Sequence, residues 1–208
     1  FDISSIGVGI DWDNFFTPKS FYIRGNWLIL LAFDDTKAGY IRPDYPGSAP
    51  TWCEKGEKQA LETVRVMSSI GATVIVFEHW GNEYSCFPDN RQISLAHKFI
   101  DAGAATVIGS HPHRIQGVEF YNGKPILYSL GNLIFDQKDE LGNIGILAEL
   151  SLLENRIIEV KLIPVETLTE RFQPRLMELN KSLSIIENAC KPFEVKLLTI
   201  YDYIIVEP

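Results

Sequence analysis

The 208 residues hold 46% hydrophobic and 22% charged side chains, a balance typical of a soluble globular protein with one well-packed domain. The formal net charge of −8 argues against nonspecific nucleic-acid binding, and it disfavours a polyanionic ligand unless a bound cation reverses the local field. No apolar run in the sequence reaches the roughly 18–20 residues of a membrane span. The 3 cysteines are too widely spaced to predict a disulfide framework or a thiolate zinc site.

The first quarter of the chain alternates between loop and regular structure. Residues 1–18 show little periodicity and are predicted as a loop. Residues 20–23 and 27–33 are strand-like and flank a short turn, which predicts a hairpin. Residues 38–50 form a loop rich in proline and glycine, and residues 54–70 carry the apolar stripe of an amphipathic helix.

A parallel crossover is predicted in the middle of the chain. Residues 72–77 and 105–108 are apolar at consecutive positions, which is typical of strands buried on both faces. Residues 91–102 between them predict a helix that ends at Gly103. Because parallel strands place their carboxyl ends at one edge of a sheet, the segments that follow both strands should lie together.

The last third is predicted as mostly extended structure. The predicted elements are strands at 118–121 and 125–128 around an Asn-Gly turn, an antiparallel pair at 145–153 and 157–164, a helix at 176–189 and an extended segment at 193–206. The whole chain, residues 1–208, is predicted as a single α/β (α+β) domain with a mixed sheet and helices outside. Residues 166–208 could form a C-terminal appendage of that domain.

Three of the 4 histidines directly follow the two strands of the crossover. Alternation in an extended backbone would point His111 and His113 the same way, and Pro112 would stiffen the segment that holds them. Together with His79 they form a set of imidazoles that suits zinc, manganese or iron, so the sequence predicts a metal site. His97 lies off the apolar stripe of its helix and is predicted to be a solvated surface residue.

Two acidic residues flank the first histidine and widen the possible chemistry. Glu78 and Glu83 could each accept a hydrogen bond from an imidazole or act as a general acid or base. Glu83 follows the strand and is expected to reach the cavity, whereas Glu78 lies in a buried run and is expected to pair with a neighbour. Because a metal-bound water has a pKa of roughly 7, the residues permit metal-assisted hydrolysis, with His79, His113 and Glu83 as candidate catalytic residues.

The segments that carry these histidines resemble the CapA-like capsule-synthesis family, which belongs to the calcineurin-like metallophosphatase superfamily. The resemblance is dense over about residues 70–136 and rests on motifs in a fixed order. These are His-Trp-Gly-Asn-Glu-Tyr at 79–84, Ile-Asp-Ala-Gly-Ala at 100–104, Val-Ile-Gly-Ser-His-Pro-His at 107–113, Gln-Gly-Val-Glu at 116–119 and Tyr-Ser-Leu-Gly-Asn-Leu-Ile-Phe-Asp at 128–136.

The resemblance implies a β-sandwich flanked by helices that holds a two-metal centre of manganese, iron or zinc. His79 matches the metal-binding histidine that follows the central strand, and His111 and His113 match the paired histidines of the superfamily. Ser110 stands where the family often has a further histidine. The Gly-Asp, Asn-Leu-Glu and Asn-His motifs of the family's N-terminal half do not occur before His79. The chain is therefore expected to be the C-terminal portion of the fold and to encode only half of a binuclear site.

The resemblance also implies a role in poly-γ-glutamate capsule biosynthesis at the bacterial cell envelope or its extracellular face. The expected activity is a metal-dependent, phosphoesterase-like hydrolysis, completed by ligands from the N-terminal half. The expected partners are an anionic polymer or phosphoester substrate and other capsule-synthesis proteins, without nucleic acid. Two alternatives stay open: a noncatalytic component that binds or exports polyglutamate, and a truncated, inactive homologue.

Overall fold

The computed structural model describes residues 3–37, 45–135, 137, 139–168 and 172–208. Residues 38–44 of the predicted proline-rich loop and Asp136 of the family-like block lie outside the described residues. The helices are α1 (Trp12–Phe15), α2 (Glu54–Ser69), α3 (Asn90–Asp101) and α4 (Leu179–Cys190), with a 3₁₀ turn at Glu140–Asn143.

The strands follow the order of the chain. They are β1 (Val8–Gly9), β2 (Lys19–Ile23), β3 (Asn26–Asp34), β4 (Gly47–Ser48), β5 (Thr73–His79), β6 (Thr106–Ser110), β7 (Ile115–Tyr121), β8 (Lys124–Leu130), β9 (Ile144–Leu153), β10 (Arg156–Leu168), β11 (Gln173–Leu176), β12 (Lys196–Ile200) and β13 (Tyr203–Glu207).

A six-stranded sheet in the order β2-β3-β5-β6-β8-β7 forms the centre of the molecule. Its strands β3, β5, β6 and β8 run parallel, and the two outer strands are antiparallel to their neighbours. The apolar residues of β3 and β5 pack against α2 and α3 in one core, which includes Ile29, Leu61, Val74 and Phe99. The parallel crossover predicted from the sequence is therefore present, and helices cover one face of this sheet.

A second, five-stranded sheet lies against the other face. It has the order β11-β10-β13-β12, with β9 paired to β10, and all of its pairs are antiparallel. Leu127 of the first sheet shares a core with Ile146 and Leu162 of the second sheet and with Ile186 of α4. The two stacked sheets with helices outside confirm the predicted α+β class and agree with the metallophosphatase-like sandwich that the resemblance implies.

The predictions for the first loop and for the last helix are wrong. Residues 1–18 are not all loop, because Asp11 accepts a hydrogen bond from the Asn14 amide at 3.0 Å and starts α1. The last helix begins at Leu179 and not at residue 176, because residues 173–176 pair with β10 as strand β11. Pro174 within this stretch lacks an amide hydrogen, which disfavours a helix there. The division of the chain into one domain and an appendage stays a prediction.

Candidate functional site

The carboxyl edge of the parallel strands brings three polar residues into one row. Asp34 of β3 stands opposite His79 of β5, and His79 stands opposite Ser110 of β6. The Nδ1 atom of His79 lies 3.3 Å from the Ser110 hydroxyl oxygen. In open parallel sheets, ligand sites lie at this edge, outside the carboxyl ends of the strands.

The three predicted histidines lie together at this edge. The ring centroids of His79 and His111 are 4.6 Å apart, and those of His111 and His113 are 6.3 Å apart. We refer to His79, His111 and His113 as the histidine cluster. Their assembly depends on the pairing of β5 with β6, since the two segments are separated in sequence by the whole of α3.

The backbone that carries the second and third histidines is not extended, contrary to the prediction. The strand ends at Ser110, and His111 and His113 have φ angles of 99° and 55°. Tyr84 also has a positive φ, 66°, and its amide donates a hydrogen bond to the Pro112 carbonyl at 2.7 Å. Such conformations cost of the order of 1–3 kcal/mol each in non-glycine residues and tend to occur at functional sites. The surrounding contacts therefore hold the turn of residues 111–113 in place.

A close contact beneath β6 supports the cluster. A Cβ atom on Gly109 would lie 2.0 Å from the Tyr128 carbonyl oxygen and 2.3 Å from the indole nitrogen of Trp80. That indole donates to the same carbonyl at 2.9 Å, and Trp80 is fully buried. Trp80 is thus a packing residue under the site, which requires glycine at position 109.

Two buried glutamines fix the loop that follows His79. The Gln116 amide donates to the carbonyls of Ser85 and Phe87 at 3.1 and 3.0 Å, and it accepts from the Gln92 amide at 2.9 Å. The loop is therefore anchored between α3 and β7. Glu83 lies on this loop and is exposed, and no hydrogen bond or ion pair joins it to another described residue. Its predicted catalytic role stays a prediction.

Asp34 also lies at this edge, although it is not among the site residues predicted from the sequence. Its carboxylate accepts hydrogen bonds from the amide and hydroxyl of Thr36 at 2.8 and 2.7 Å and from the Ser48 hydroxyl at 2.8 Å. Burial raises the pKa of Asp34, but these hydrogen bonds and nearby His79 bring it below its ordinary value. The signal was available in the sequence, because Asp34 follows one buried strand as His79 follows the next.

The surroundings of His79 favour its neutral form. Partial burial lowers the pKa of His79, and positive charge on His111 or His113 would lower it further, while Asp34 opposes the shift. A neutral imidazole has a free lone pair, which is the form that binds a metal or accepts a proton. His79 is therefore available for either role near neutral pH.

Glu78 lies below the site and not in it. It is 1% exposed, its Oε1 accepts a hydrogen bond from the Thr51 hydroxyl at 2.5 Å, and its Oε2 has no hydrogen-bond partner in the described structure. Burial, with smaller contributions from Asp35 and Asp34, raises the pKa of Glu78 well above its ordinary value. The carboxyl group thus favours the protonated, neutral form.

His97 lies outside the cluster, but it is not the solvated residue that was predicted. Its Nε2 atom lies 2.9 Å from a Glu119 carboxylate oxygen, and its ring stacks on Tyr121 with centroids 3.7 Å apart. Because Glu119 and Tyr121 lie on β7, His97 joins α3 to the sheet. The position of His97 on the helix did not reveal these partners.

An apolar cavity adjoins the histidine cluster. It measures about 420 Å³ and lies between the two sheets, where Phe77 and Ile108 of the first sheet face Leu147 of the second. Ser110 also lines this cavity, and its hydroxyl contacts His79. A ligand held at the cluster would therefore have an apolar space beside it.

The spacing of the imidazoles can be compared with that of a metal centre. Two imidazoles that bind one ion at about 2.0–2.1 Å have ring centroids about 5 Å apart, and the 4.6 Å between His79 and His111 agrees with this spacing. Within the part of the chain that the structure describes, however, no three His, Cys, Asp or Glu side chains form a group that could hold a metal ion. Metal binding by His79, His111 and His113 stays a prediction.

Comparison with known proteins identifies the family of the chain. The family model described as bacterial capsule synthesis protein PGA_cap matches residues 1–137, which include the strands, loops and turns of the site. The chain belongs to this family. The resemblance that the motifs of residues 79–136 indicated is thereby confirmed.

Three proteins of similar sequence have names that refer to polymer or capsule synthesis. The chain is 52% identical over 64 residues to the PGA biosynthesis protein CapA of Bacillus subtilis, covering 31% of this chain and 17% of that protein. It is 30% identical over 186 residues to the capsule biosynthesis protein CapA of Bacillus anthracis, covering 87% and 44%. It is 28% identical over 138 residues to a probable polyglutamine synthesis accessory protein of Mycobacterium tuberculosis, covering 62% and 36%.

The chain thus matches less than half the length of each of these relatives. Among the described residues, no helix has both the length and the apolar character needed to cross a membrane.

Proposed function

We propose that this chain supplies metal-binding and catalytic residues to the active site of a metal-dependent hydrolase that acts on a phosphoester during synthesis of a poly-γ-glutamate capsule. The observation that carries the proposal is the convergence of His79 and His111 at the carboxyl edge of the parallel sheet, with ring centroids 4.6 Å apart. The names of the CapA relatives support the biosynthetic context. The cell envelope and other capsule-synthesis proteins are the proposed setting and partners.

The residues of the chain have distinct roles in this proposal. His79 and His111 would hold a divalent cation such as manganese, iron or zinc, which would polarise a phosphoryl oxygen and lower the pKa of a bound water. The depressed pKa of His79 keeps its lone pair available at neutral pH. The Asp34 carboxylate, on the neighbouring strand β3, adds negative charge that favours a cation at this edge. Glu83 is the proposed general acid or base on the adjoining loop.

Metal content and hydrolysis can be measured on the same samples. We expect the protein dialysed against manganese to retain metal by mass spectrometry and to hydrolyse p-nitrophenyl phosphate. His111→Ala should lower both the bound metal and the rate by at least about tenfold, since an interaction with the reacting group contributes a factor of this order or more. His97→Asn is the matched control, because it removes a histidine that lies outside the cluster, and it should retain both properties.

Three results would count against the proposal. The first is protein that binds no manganese, and the second is hydrolysis that His111→Ala leaves unchanged. The third is manganese-dependent binding of poly-γ-glutamate, measured by calorimetry, without turnover of any phosphoester. That last result would select a noncatalytic, polymer-binding role for the same histidines.

A further inference from the structure

The third histidine of the cluster has one specific polar partner. The Nδ1 atom of His113 lies 2.8 Å from the side-chain oxygen of Asn132, which follows β8 at the edge of the sheet. His113 and Asn132 are separated by the whole β7–β8 hairpin, so tertiary structure alone brings them together. A hydrogen bond to one imidazole nitrogen determines which nitrogen carries the proton.

A second hydrogen bond settles the orientation of the Asn132 amide. Its nitrogen donates to the Gly142 carbonyl at 2.7 Å, so its oxygen must face His113. An amide oxygen can only accept, and therefore the Nδ1 atom of His113 must be the donor. In the neutral ring the proton then resides on Nδ1, and the lone pair resides on Nε2.

The backbone of Asn132 is fixed as firmly as its side chain. Its amide donates to the Ile144 carbonyl at 3.3 Å, and the preceding Gly131 forms a β-bridge with Gly145. A Cβ atom on Gly145 would lie 2.2 Å from the Asn132 carbonyl oxygen, so this approach requires glycine. Asn132 thus joins the start of the second sheet to the histidine cluster of the first.

The His113 ring is also held between aromatic side chains. Its centroid lies 4.8 Å from that of Phe135 and 6.1 Å from that of Tyr84. The side chain of Arg114 closes this group, because its guanidinium lies 5.0 Å from the Tyr84 ring and donates to the His113 carbonyl at 2.7 Å. With the ring flanked and Nδ1 engaged, Nε2 is the nitrogen that can serve a ligand.

We propose that Asn132 is a positioning residue that holds His113 in the Nδ1-protonated tautomer and thereby presents the unprotonated Nε2 to the site. Metal-binding histidines commonly donate their second N–H to such an outer partner. The use of Nε2 as a ligand or a base rests on the proposed function, whereas the tautomer itself does not.

The tautomer can be measured directly in the metal-free protein. Long-range ¹H–¹⁵N NMR spectra at about pH 8.5, where histidines of ordinary pKa are neutral, distinguish protonated from unprotonated ring nitrogens. We expect the wild-type His113 to carry its proton on Nδ1. In Asn132→Leu, which removes the acceptor at similar size, the population should shift towards Nε2–H. Asn132→Asp, which restores an acceptor, should return it to Nδ1–H.

Asn155→Leu provides the matched control. Asn155 also accepts one hydrogen bond, from Thr73 at 2.9 Å, and donates one, to the Gly71 carbonyl at 3.0 Å, but it lies at the opposite end of the sheet. This variant should leave the His113 tautomer unchanged. A wild-type His113 protonated on Nε2 would overturn the proposal without any variant, and so would an Asn132→Leu spectrum identical to the wild type.

Hydrolysis of p-nitrophenyl phosphate with manganese separates this inference from the proposed function. A tautomer that responds to Asn132 in a protein without hydrolytic activity would refute the hydrolase and leave the positioning role intact. Hydrolysis by a protein in which the His113 tautomer does not change in Asn132→Leu would support the hydrolase and refute the positioning role. If both hold, we expect Asn132→Leu to lower kcat at least about tenfold and Asn132→Asp to recover part of the loss.

Discussion

The chain contains two histidine environments that differ in how completely their polar groups are paired. Around His97, the Glu119 carboxylate is within hydrogen-bonding distance of the imidazole at 2.9 Å and accepts from the Tyr128 hydroxyl at 2.5 Å. In the histidine cluster, His113 is paired with Asn132 at 2.8 Å, but the imidazole of His79 has a single polar contact among the described residues, with Ser110 at 3.3 Å. Buried polar groups are normally paired, so the paired groups around His97 are typical of structural stabilisation, whereas the exposed ring of His79 can interact with solvent or a ligand.

The same contrast appears in the backbone and in the buried acids. His111 at the cluster has a φ of 99°, whereas His97 lies in the regular helix α3. Glu78 beneath the cluster has an oxygen without a partner in the described structure, whereas Glu119 uses both of its oxygens. Burial and Glu119 raise the pKa of Tyr128, which keeps its hydroxyl a donor. We therefore expect substitutions around His97 to affect mainly stability, and substitutions in the histidine cluster to affect mainly the proposed activity.

The largest expected effect tests the structural side of this comparison. Glu119→Ala leaves the His97 ring and the Tyr128 hydroxyl without their shared acceptor, in a partly buried position. We expect the free energy of unfolding to fall by about 3 kcal/mol, because removal of one partner leaves desolvated groups unpaired. The midpoint of urea unfolding measures this loss.

The control for this variant is an exposed ion pair. Glu62 and Arg65 of α2 lie 3.3 Å apart with more than half of each side chain exposed, at 59% and 56%. Glu62→Ala should change the free energy of unfolding by less than about 0.5 kcal/mol. Equal losses in the two variants would show that the pairing around His97 is not a special source of stability.

The second expected effect concerns Glu78 beneath the cluster and depends on pH. The pKa of Glu78 in the folded protein is well above 4.5, the value in the unfolded chain, so the folded state keeps its proton at pH values where the unfolded chain has lost it. Below pH 4.5, the free energy of unfolding of the wild type should therefore be highest relative to that of Glu78→Gln. Above pH 4.5 it should fall relative to that variant by about 1.4 kcal/mol per pH unit, until the pH exceeds the folded-state pKa of Glu78. Urea unfolding of both proteins from pH 4 to pH 8 measures this difference.

A further variant sharpens the pH test. The hydrogen bond from Thr51 is the principal contact that lowers the pKa of Glu78. Thr51→Val removes it and should extend the loss of stability to higher pH. A difference between wild type and Glu78→Gln that stays constant over the whole range would mean that Glu78 is not the buried neutral acid inferred here.

The main strands and helices could be predicted from the sequence because their apolar patterns are long. The consecutive apolar run of β5 and the stripe of α3 gave the crossover, and both lie within two residues of the predicted bounds. The short helix α1 could not be predicted in this way, because one capping contact from Asp11 decides it. Local propensity is a weak guide when an element spans a single turn.

The site could be located from the sequence but its geometry could not. Parallel pairing of two strands is enough to bring His79 close to His111, whichever conformation the intervening turn adopts. The turn with its positive φ angles accepts a hydrogen bond at the Pro112 carbonyl from the Tyr84 amide, a contact between loops that are distant in sequence. The proposed role of Asn132 depends in turn on its hydrogen bonds to Gly142, in the 3₁₀ turn, and to Ile144, at the start of the second sheet. Such contacts have no counterpart in a periodic pattern.

The smallest expected effect tests the strain at the cluster. Both His111→Gly and His111→Ala remove the imidazole, but only glycine adopts a φ of 99° without steric cost. We therefore expect the glycine variant to be more stable than the alanine variant by about 1 kcal/mol in urea unfolding. At Ser94, an exposed position inside α3, the order should reverse, because glycine destabilises a helix interior by about 1 kcal/mol relative to alanine. If the alanine variant were the more stable one at both positions, the turn at His111 would be unstrained. If glycine is the more stable residue at position 111 and alanine at position 94, the backbone conformation at His111 lowers the stability of the fold. His97, in the regular helix α3, has no such cost.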